Sequence, residues 1–288
     1  MFLTPWQKEW NYVLRQEYEF LRKGRFKKDS VLNGLVADKV PDGLQNTLDK
    51  AFSKAFEIIF EKGTGVIEKT YNKKGIEEQF QTNENNAKDR DDRNSLRLFS
   101  RKAANSGNKN LIFSGVEGIG LGALGIGLPD IPLFTAMILK SVYEVALHFG
   151  YTYTETEEKY FILRLIQCAL AHGKELDSFN DELNGFIEDG VLPKGYSESE
   201  QIRATAATMS SELLYMKFLQ GLPVVGAVGG AYDVIYMQKV QKFARIKYHR
   251  RFLFDRADEK IKPTIVEGPK SKGGHGPGFD PDDGPATA

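Results

Sequence analysis

The sequence has 288 residues, 41% of them hydrophobic and 27% charged, so one large helical domain or two small ones can bury a sizeable core. Lys and Arg (39) balance Asp and Glu (39), and the formal net charge of +0 argues against a nucleic-acid binder that depends on bulk positive potential. A single cysteine, Cys168, excludes an intramolecular disulfide and a cysteine-based zinc cluster, and it indicates a reducing compartment. We expect a cytoplasmic protein.

The first predicted helix begins at Thr4 and ends near Lys23. Thr4 supplies an N-cap hydroxyl, Pro5 suits the first helical position, and Gln7 completes a capping box. The segment lacks the basic region and long apolar run of a secretory signal, so we expect it to be part of the mature protein. Spacings of three and four predict a mostly aromatic and aliphatic inner face, made of Trp6, Trp10, Val13, Leu14, Glu17 and Leu21.

A second amphipathic helix is predicted from Pro41 to about Tyr71, with a break at Gly63 and Gly65. The following segment, Asn72 to Asn94, contains three apolar residues and is dense in Asn, Asp, Glu and Lys. Such a composition contributes little to a core. We expect a mobile loop or an exposed helix there.

The centre of the fold is predicted to consist of two helices with glycine faces. Faces without side chains let helices approach closely, and this packing must offset a propensity cost of about 1 kcal/mol per glycine relative to alanine. The uncharged, apolar stretch in each of these two helices is shorter than the roughly 20 residues that a membrane-spanning helix needs. The two faces consist of Gly115, Gly118, Gly122 and Gly125, and of Gly226, Gly229, Gly230 and Asp233.

The remaining helices follow from apolar periodicity and caps. A largely apolar helix from Leu133 to Phe149 is expected to be central. Residues 263–288 are rich in Gly, Pro and Asp and are predicted to be a disordered tail. The prediction is an all-α, multi-helix bundle with Gly-rich central helices. Four other helices are predicted: from the Thr154 capping box to His172-Gly173, from Phe179 to Glu188, from the Ser197 cap to about Gln220, and from Pro223 to about Lys260.

Two stretches resemble the EcsC-like bacterial protein family: GIGLPDIPLFTAMILKSVYEVALHFGY, which is followed by a charged helix, and LPVVGAVGGAYDVIYMQKVQKFARIKY. The resemblance covers roughly Leu44 to Arg256 and implies one helical EcsC-like domain over residues 1–262. It also implies a link to an ABC exporter, because the family is named for a gene neighbour of an exporter operon. The family has no settled biochemical activity. The polar segment 72–94 and the Gly/Pro tail depart from its pattern and are interpreted as local additions.

Common catalytic and cofactor motifs are absent from the sequence. Gly120 to Gly125 match GxGxxG, but a proline-started helix replaces the second strand that a dinucleotide site requires. No GxxxxGK[ST], HExxH or GxSxG occurs, and the four histidines are scattered. Cys168 at a helical core position is interpreted as a packed thiol. We therefore predict no catalytic residue, no metal site and no cofactor.

Four polar residues are candidates for a ligand-binding pocket between the glycine-faced helices. A structural interpretation remains open, because a carboxylate at a helix start is explained by capping and an i, i+4 pair of opposite charge is common on a solvent-facing helix. The four residues are Asp130, Lys140, Glu144 and Asp233.

A cluster of cations near the end of the last helix is interleaved with aromatic residues. Such a helix can lie on an anionic membrane surface, to which each cation contributes on the order of 1 kcal/mol. Cations also suit a helix C-terminus, so a solvated face is the alternative. The candidate membrane-contact residues are Lys239, Lys242, Arg245, Lys247, Arg250 and Arg251.

These patterns predict a noncatalytic helical interaction protein with an unidentified protein partner. We expect it to be cytoplasmic, peripheral to an anionic inner membrane face and linked to an ABC transport or envelope system, with no nucleic-acid partner. The alternative is an uncharacterised enzyme or small-ligand-binding protein with a polar pocket near Asp130 and Glu144. A small pore-like assembly through the glycine faces is a third option.

Overall fold

A computed structural model describes residues 3–25, 43–90, 92–106, 130–219 and 231–257. Within these ranges the protein is all-α, with nine helices and no strand, which confirms the predicted fold class. The two glycine faces, except for the backbone at Asp233, and the segment 263–288 lie outside the described residues. Their predicted packing and disorder stay predictions.

The nine helices are numbered in chain order. The first four are α1 (Pro5–Arg25), α2 (Leu44–Ile58, continued by a π-helical turn at Ile59–Gly63 and by Thr64–Glu68), α3 (Lys73–Arg90) and α4 (Arg93–Ser106). The others are α5 (Asp130–His148), α6 (Thr156–Leu170), α7 (Gly173–Asp189), α8 (Glu198–Leu219) and α9 (Ala231–Asp255).

The predicted N-cap of α1 is confirmed in detail. The backbone N–H of Gln7 donates to Thr4 Oγ1 at 3.1 Å, and the N–H of Thr4 donates back to Gln7 Oε1 at 2.9 Å. The cap predicted at Thr154 is wrong, because α6 begins two residues later, after an extended Glu155. Tyr153 explains the delay, since its buried hydroxyl donates to Glu68 at 2.6 Å and anchors the preceding loop.

In the first half of the chain, one predicted feature is wrong, one predicted alternative is confirmed and one helix was not predicted. The break expected at Gly63 is wrong, because the backbone continues through a π-helical turn in which the Thr64 hydroxyl donates to Ile59 O at 3.1 Å. The polar segment after Tyr71 forms the exposed helix α3, one of the two predicted alternatives. Helix α4 was not among the predicted elements, although it buries Leu96, Phe99 and Ala103.

Helices α5 and α9 form the centre of the bundle. Helix α5 contacts α2, α3, α4 and α9, whereas α9 also contacts α1, α6 and α7. Within the described part of the chain, α5 contains the one stretch, Ile131–His148, that is long and apolar enough to cross a membrane by length and composition. Because 83% of that stretch is buried inside the fold, it serves as the predicted central core helix.

Candidate functional site

Two of the four predicted pocket residues are adjacent in the structure. Lys140 Nζ lies 3.9 Å from Glu144 Oε1 and donates to the Thr70 carbonyl at 3.3 Å. Glu144 is only 6% exposed, so the alternative in which this i, i+4 pair faces solvent is wrong. Asp130 begins α5 as predicted, but its side chain and that of Asp233 lie outside the description. Convergence of all four residues stays a prediction.

A chain of hydrogen bonds near this pair ties the end of α2 to the loop before α6. Tyr71 and Tyr153 hydroxyls lie 2.7 Å apart, and Glu68 accepts hydrogen bonds from Tyr153 at 2.6 Å and from Lys73 at 2.7 Å. Burial raises the pKa of Glu68, but the bonds from Lys73 and Tyr153 outweigh it and lower that pKa overall. The arrangement is explained by structural cross-linking of neighbouring elements.

The predicted membrane-contact residues divide into two groups on α9. Lys242 is exposed, and Lys239 and Arg245 are half-buried. The exposure expected of the other group is wrong: Lys247 is 0% exposed and Arg250 is buried. Arg251, the sixth member, is partly buried with a side chain that is 18% exposed.

Lys247 and Arg250 are buried because Glu17 of α1 neutralises them. Lys247 Nζ donates to Glu17 Oε1 at 2.7 Å and to Asn184 Oδ1 at 2.7 Å, and Arg250 Nη1 donates to Glu17 Oε2 at 3.0 Å. Burial raises the pKa of Glu17, but Arg250 and Lys247 together lower it to about 2. The pKa of Lys247 is also lowered, because burial and Arg250 outweigh its share of one carboxylate.

A second buried carboxylate, Glu158 of α6, bonds to two other residues of α9. Arg251 Nη1 donates to Glu158 Oε2 at 2.7 Å, and the Tyr248 hydroxyl donates to Oε1 at 2.5 Å. Burial raises the pKa of Glu158 and outweighs the single Arg251. We call Glu17, Glu158, Lys247, Tyr248, Arg250 and Arg251 the buried ion-pair network.

A cleft of about 190 Å³ opens between α1, α4 and α9. Its apolar wall comes from Val13, Ala104 and Ile246. We call it the cationic cleft, because its polar lining residues are Tyr12, Gln16, Ser100, Arg101, Arg245 and His249.

Cations outnumber carboxylates around the cationic cleft. Arg93, Arg97 and Arg101 follow one another every four residues along α4 and therefore share one side of that helix. Arg93 Nε and Arg97 Nε lie 2.9 and 3.0 Å from Oε2 of the buried Glu9. Arg101 and Arg245 form no ion pair with any described carboxylate. The cleft is consequently electropositive.

His249 closes the inner end of the cationic cleft as a neutral ring. It is 2% exposed and stacks on Phe149, with ring centroids 5.4 Å apart. Burial, followed by repulsion from Arg97 and Arg245, lowers its pKa to about 3. Its Nε2 lies 3.8 Å from Glu9 Oε1 and has no hydrogen-bond partner among the described residues.

The described residues contain little that supports nucleophilic or metal chemistry. Cys168 is fully buried as predicted, and desolvation raises the pKa of its thiol. Burial also lowers the pKa of His148 to about 4. No group of three or more His, Cys, Asp or Glu side chains able to hold a metal ion occurs in the described ranges.

The pairing of Glu17 with buried cations and the arginine face of α4 at the cleft were missed, although the sequence contains a signal for each. Glu17 lies on the predicted apolar stripe of α1, and a carboxylate at such a position needs a buried cation. The four-residue spacing of Arg93, Arg97 and Arg101 predicts a cationic helix face. Neither signal identifies the partner helix.

Comparisons with known proteins agree with the motif resemblance. A model of the EcsC protein family matches residues 7–253. Protein EcsC of Bacillus subtilis (strain 168) is 28% identical over 146 residues, 50% of this chain and 59% of that protein. Uncharacterized protein YdbA of the same organism is 24% identical over 141 residues, 49% of this chain and 52% of that protein.

The chain thus spans little more than half the length of these two curated relatives. No solved structure matches it. The family model, in contrast, extends from the first turn of α1 to the last turn of α9 and includes both the buried ion-pair network and the cationic cleft. The chain therefore belongs to the EcsC protein family.

Proposed function

We propose that the protein is a noncatalytic helical interaction protein that binds the anionic inner face of the membrane. The carrying observation is a basic stripe on α9, formed by Lys239, Lys242 and Arg245. These residues recur every three positions and therefore project from neighbouring parts of the helix surface. Lys242 and Arg245 have no carboxylate partner within the described ranges, so their charge is available to lipid headgroups.

An exposed apolar side chain extends the basic stripe. Ile235 is 50% exposed and lies one turn before Lys239. An apolar residue beside cations suits the boundary between headgroups and acyl chains. With about 1 kcal/mol per cation near an anionic surface, the stripe supports reversible, salt-sensitive binding.

The burial and pairing of the charged and nucleophilic side chains support the noncatalytic part of the proposal. The cations of the buried ion-pair network are bonded to carboxylates inside the fold, and the thiol of Cys168 is kept protonated by burial. The proposed link to an ABC transport or envelope system, and to a protein partner there, comes from the family resemblance.

Vesicle flotation tests the membrane proposal. The protein is expected to float with phosphatidylcholine vesicles that contain phosphatidylserine at low salt, and to stay in the soluble fraction at high salt. The double variant Lys239→Glu with Lys242→Glu is expected to lose binding, because it reverses the charge of the stripe. Lys50→Glu, on the exposed surface of α2, is the matched control and is expected to bind. Failure to float at both salt concentrations overturns the proposal.

A second candidate is an enzyme or small-ligand-binding protein with a pocket near Asp130 and Glu144. The observation that favours it is the burial of Glu144 beside Lys140. Glu144→Gln separates the two interpretations when stability and small-molecule binding are both measured. A loss of stability alone means that Glu144 has a structural role.

A further inference from the structure

We propose that the cationic cleft binds a phosphate group that keeps one proton, from either a free phosphate compound or a lipid headgroup. The observations behind the assignment are the cleft's shape, its surplus of arginine and one buried ring nitrogen that needs a donor. Arg245 also belongs to the basic stripe, but the cleft's shape, Arg101 and His249 are independent of it. The inference therefore goes beyond the proposed function and can stand if membrane binding fails.

The cationic cleft has a suitable size for this ligand. A water molecule occupies about 30 Å³ of the liquid, so a cleft of about 190 Å³ has room for a phosphate group with a small substituent. The apolar wall of Val13, Ala104 and Ile246 offers contact to such a substituent. The open end lies between helices, so a larger molecule can extend into solvent.

The charge of the cationic cleft favours an oxyanion. Arg101 from α4 and Arg245 from α9 line it on two sides, and neither is neutralised by a described carboxylate. Guanidinium groups donate planar pairs of hydrogen bonds that match phosphate oxygens. Tyr12, Gln16 and Ser100 add neutral donors around the same space.

His249 accounts for the proton on the ligand. The ring hydrogen-bonds to the backbone of Leu96 and Nε2 has no described partner, so we assign the proton of the neutral ring to Nδ1, which leaves Nε2 with a lone pair. A buried acceptor without a donor is costly, and Glu9 Oε1 at 3.8 Å cannot supply one because its carboxylate is bonded to Arg93 and Arg97. A P–O–H group can donate to Nε2, whereas sulfate has no proton to donate at neutral pH.

The charged and titratable groups around His249 keep the ring neutral. Glu9 faces it from α1, Arg97 from α4, and Arg245 from its own helix, while Phe149 covers one side of the ring. Burial and the two arginines disfavour the imidazolium, and the single carboxylate is shared by Arg93 and Arg97. The neutral ring, with Nε2 as a hydrogen-bond acceptor, is therefore the stable form of His249 in the folded protein.

Titration calorimetry with inorganic phosphate and sulfate at matched ionic strength tests the assignment. The wild type is expected to bind phosphate saturably and more tightly than sulfate. Arg101→Ala removes one charged donor and is expected to weaken phosphate binding about tenfold. Arg101 is exposed, so this variant should fold, which circular dichroism checks. Lys50→Ala is the matched control, with unchanged affinity expected.

Vesicles distinguish the two sources of the phosphate group. Phosphatidic acid has a phosphomonoester that can retain a proton, whereas the phosphodiester of phosphatidylserine cannot. If a lipid headgroup is the source, wild-type protein prefers phosphatidylcholine vesicles with phosphatidic acid over those with phosphatidylserine, and Arg101→Ala loses this preference. If a free compound is the source, inorganic phosphate binds and this preference is missing.

The two proposals fail in different ways. The Lys239→Glu, Lys242→Glu variant is expected to keep phosphate binding while losing vesicle binding, because neither residue lines the cleft. Three results overturn the cleft assignment. They are equal affinity for phosphate and sulfate, equal phosphate affinity of wild type and Arg101→Ala, and no saturable phosphate binding together with no preference for phosphatidic acid.

Discussion

Cations on the two sides of α9 have different surroundings. On the side of the buried ion-pair network, Lys247 and Arg250 share Glu17, and Arg251 bonds to Glu158. On the side of the cationic cleft, Arg245 has no described carboxylate partner. One helix thus carries a neutralised side inside the bundle and an electropositive side at the surface.

The difference shows that the positions of the carboxylates distinguish cations with a structural role from cations that are available for binding. The positions of the cations alone do not. A buried cation requires a fixed counter-charge, because desolvation of an isolated ion costs several kcal/mol. A cation at a cleft keeps contact with water and needs no protein partner. Glu17 and Glu158 therefore identify the structural cations, and Arg101 and Arg245 remain as candidates for binding.

The largest predicted effect comes from removing the charge that two cations share. Glu17→Gln leaves Lys247 buried without a carboxylate and Arg250 with Glu188 alone, at 3.6 Å, so the free energy of unfolding is expected to fall by about 3–5 kcal/mol. Urea denaturation measures the loss. Glu57→Gln is the control, because Glu57 pairs with Lys54 at the surface and should cost less than about 1 kcal/mol. Equal losses would contradict a stabilising role for the network.

The pH dependence of stability tests the structural role of Glu17, provided that the contribution of the buried His148 is separated from it. The pKa of His148 falls from 6.5 to about 4 in the fold, so the unfolded chain takes up this proton first. The contribution of neutral His148 to the free energy of unfolding is fully present above pH 6.5. It is lost at about 1.4 kcal/mol per pH unit as the pH falls towards 4. Glu17 contributes above pH 4.5, and its contribution is lost as the pH falls towards 2.

Replacing the histidine separates these two pH windows. In His148→Phe, the slope of the unfolding free energy against pH between 6.5 and 4 should decrease by about one proton. The loss below pH 4.5 should persist, because it comes from Glu17 and from His249, whose pKa is lowered to about 3. Urea denaturation across the pH range measures both. An unchanged upper slope would mean that His148 is protonated in the folded protein.

Local features of the fold were predictable from the sequence, and long-range pairing was not. The capping box at Thr4 depends on residues three positions apart, and the apolar helix α5 is visible in a short window. The orientation of Lys247 depends on Glu17, which lies 230 positions away. Apolar and charged residues alternate around the whole of α9, so its periodicity does not reveal which cations are buried.

The cationic cleft was unpredictable for a related reason. It needs α4, whose buried Leu96, Phe99 and Ala103 stand between arginines and directly after a polar segment. A pattern of this kind resembles a solvated helix when it is considered alone. Only the packing of α4 against α1 and α9 brings Arg101 and Arg245 to one cleft.

The smallest predicted effect on stability comes from a pair of arginine variants that compares the two sides of α9 directly. Arg245→Ala should change the free energy of unfolding by less than about 1 kcal/mol, because it removes packing of a half-buried stem and also relieves repulsion within the cleft. Arg250→Ala should cost about 2 kcal/mol or more, because Lys247 is then the one cation bonded to Glu17 among the described residues. Thermal and urea denaturation of both variants measure the difference. Should Arg245→Ala prove as destabilising as Arg250→Ala, Arg245 would be structural, and its charge would no longer support a binding role for the cleft.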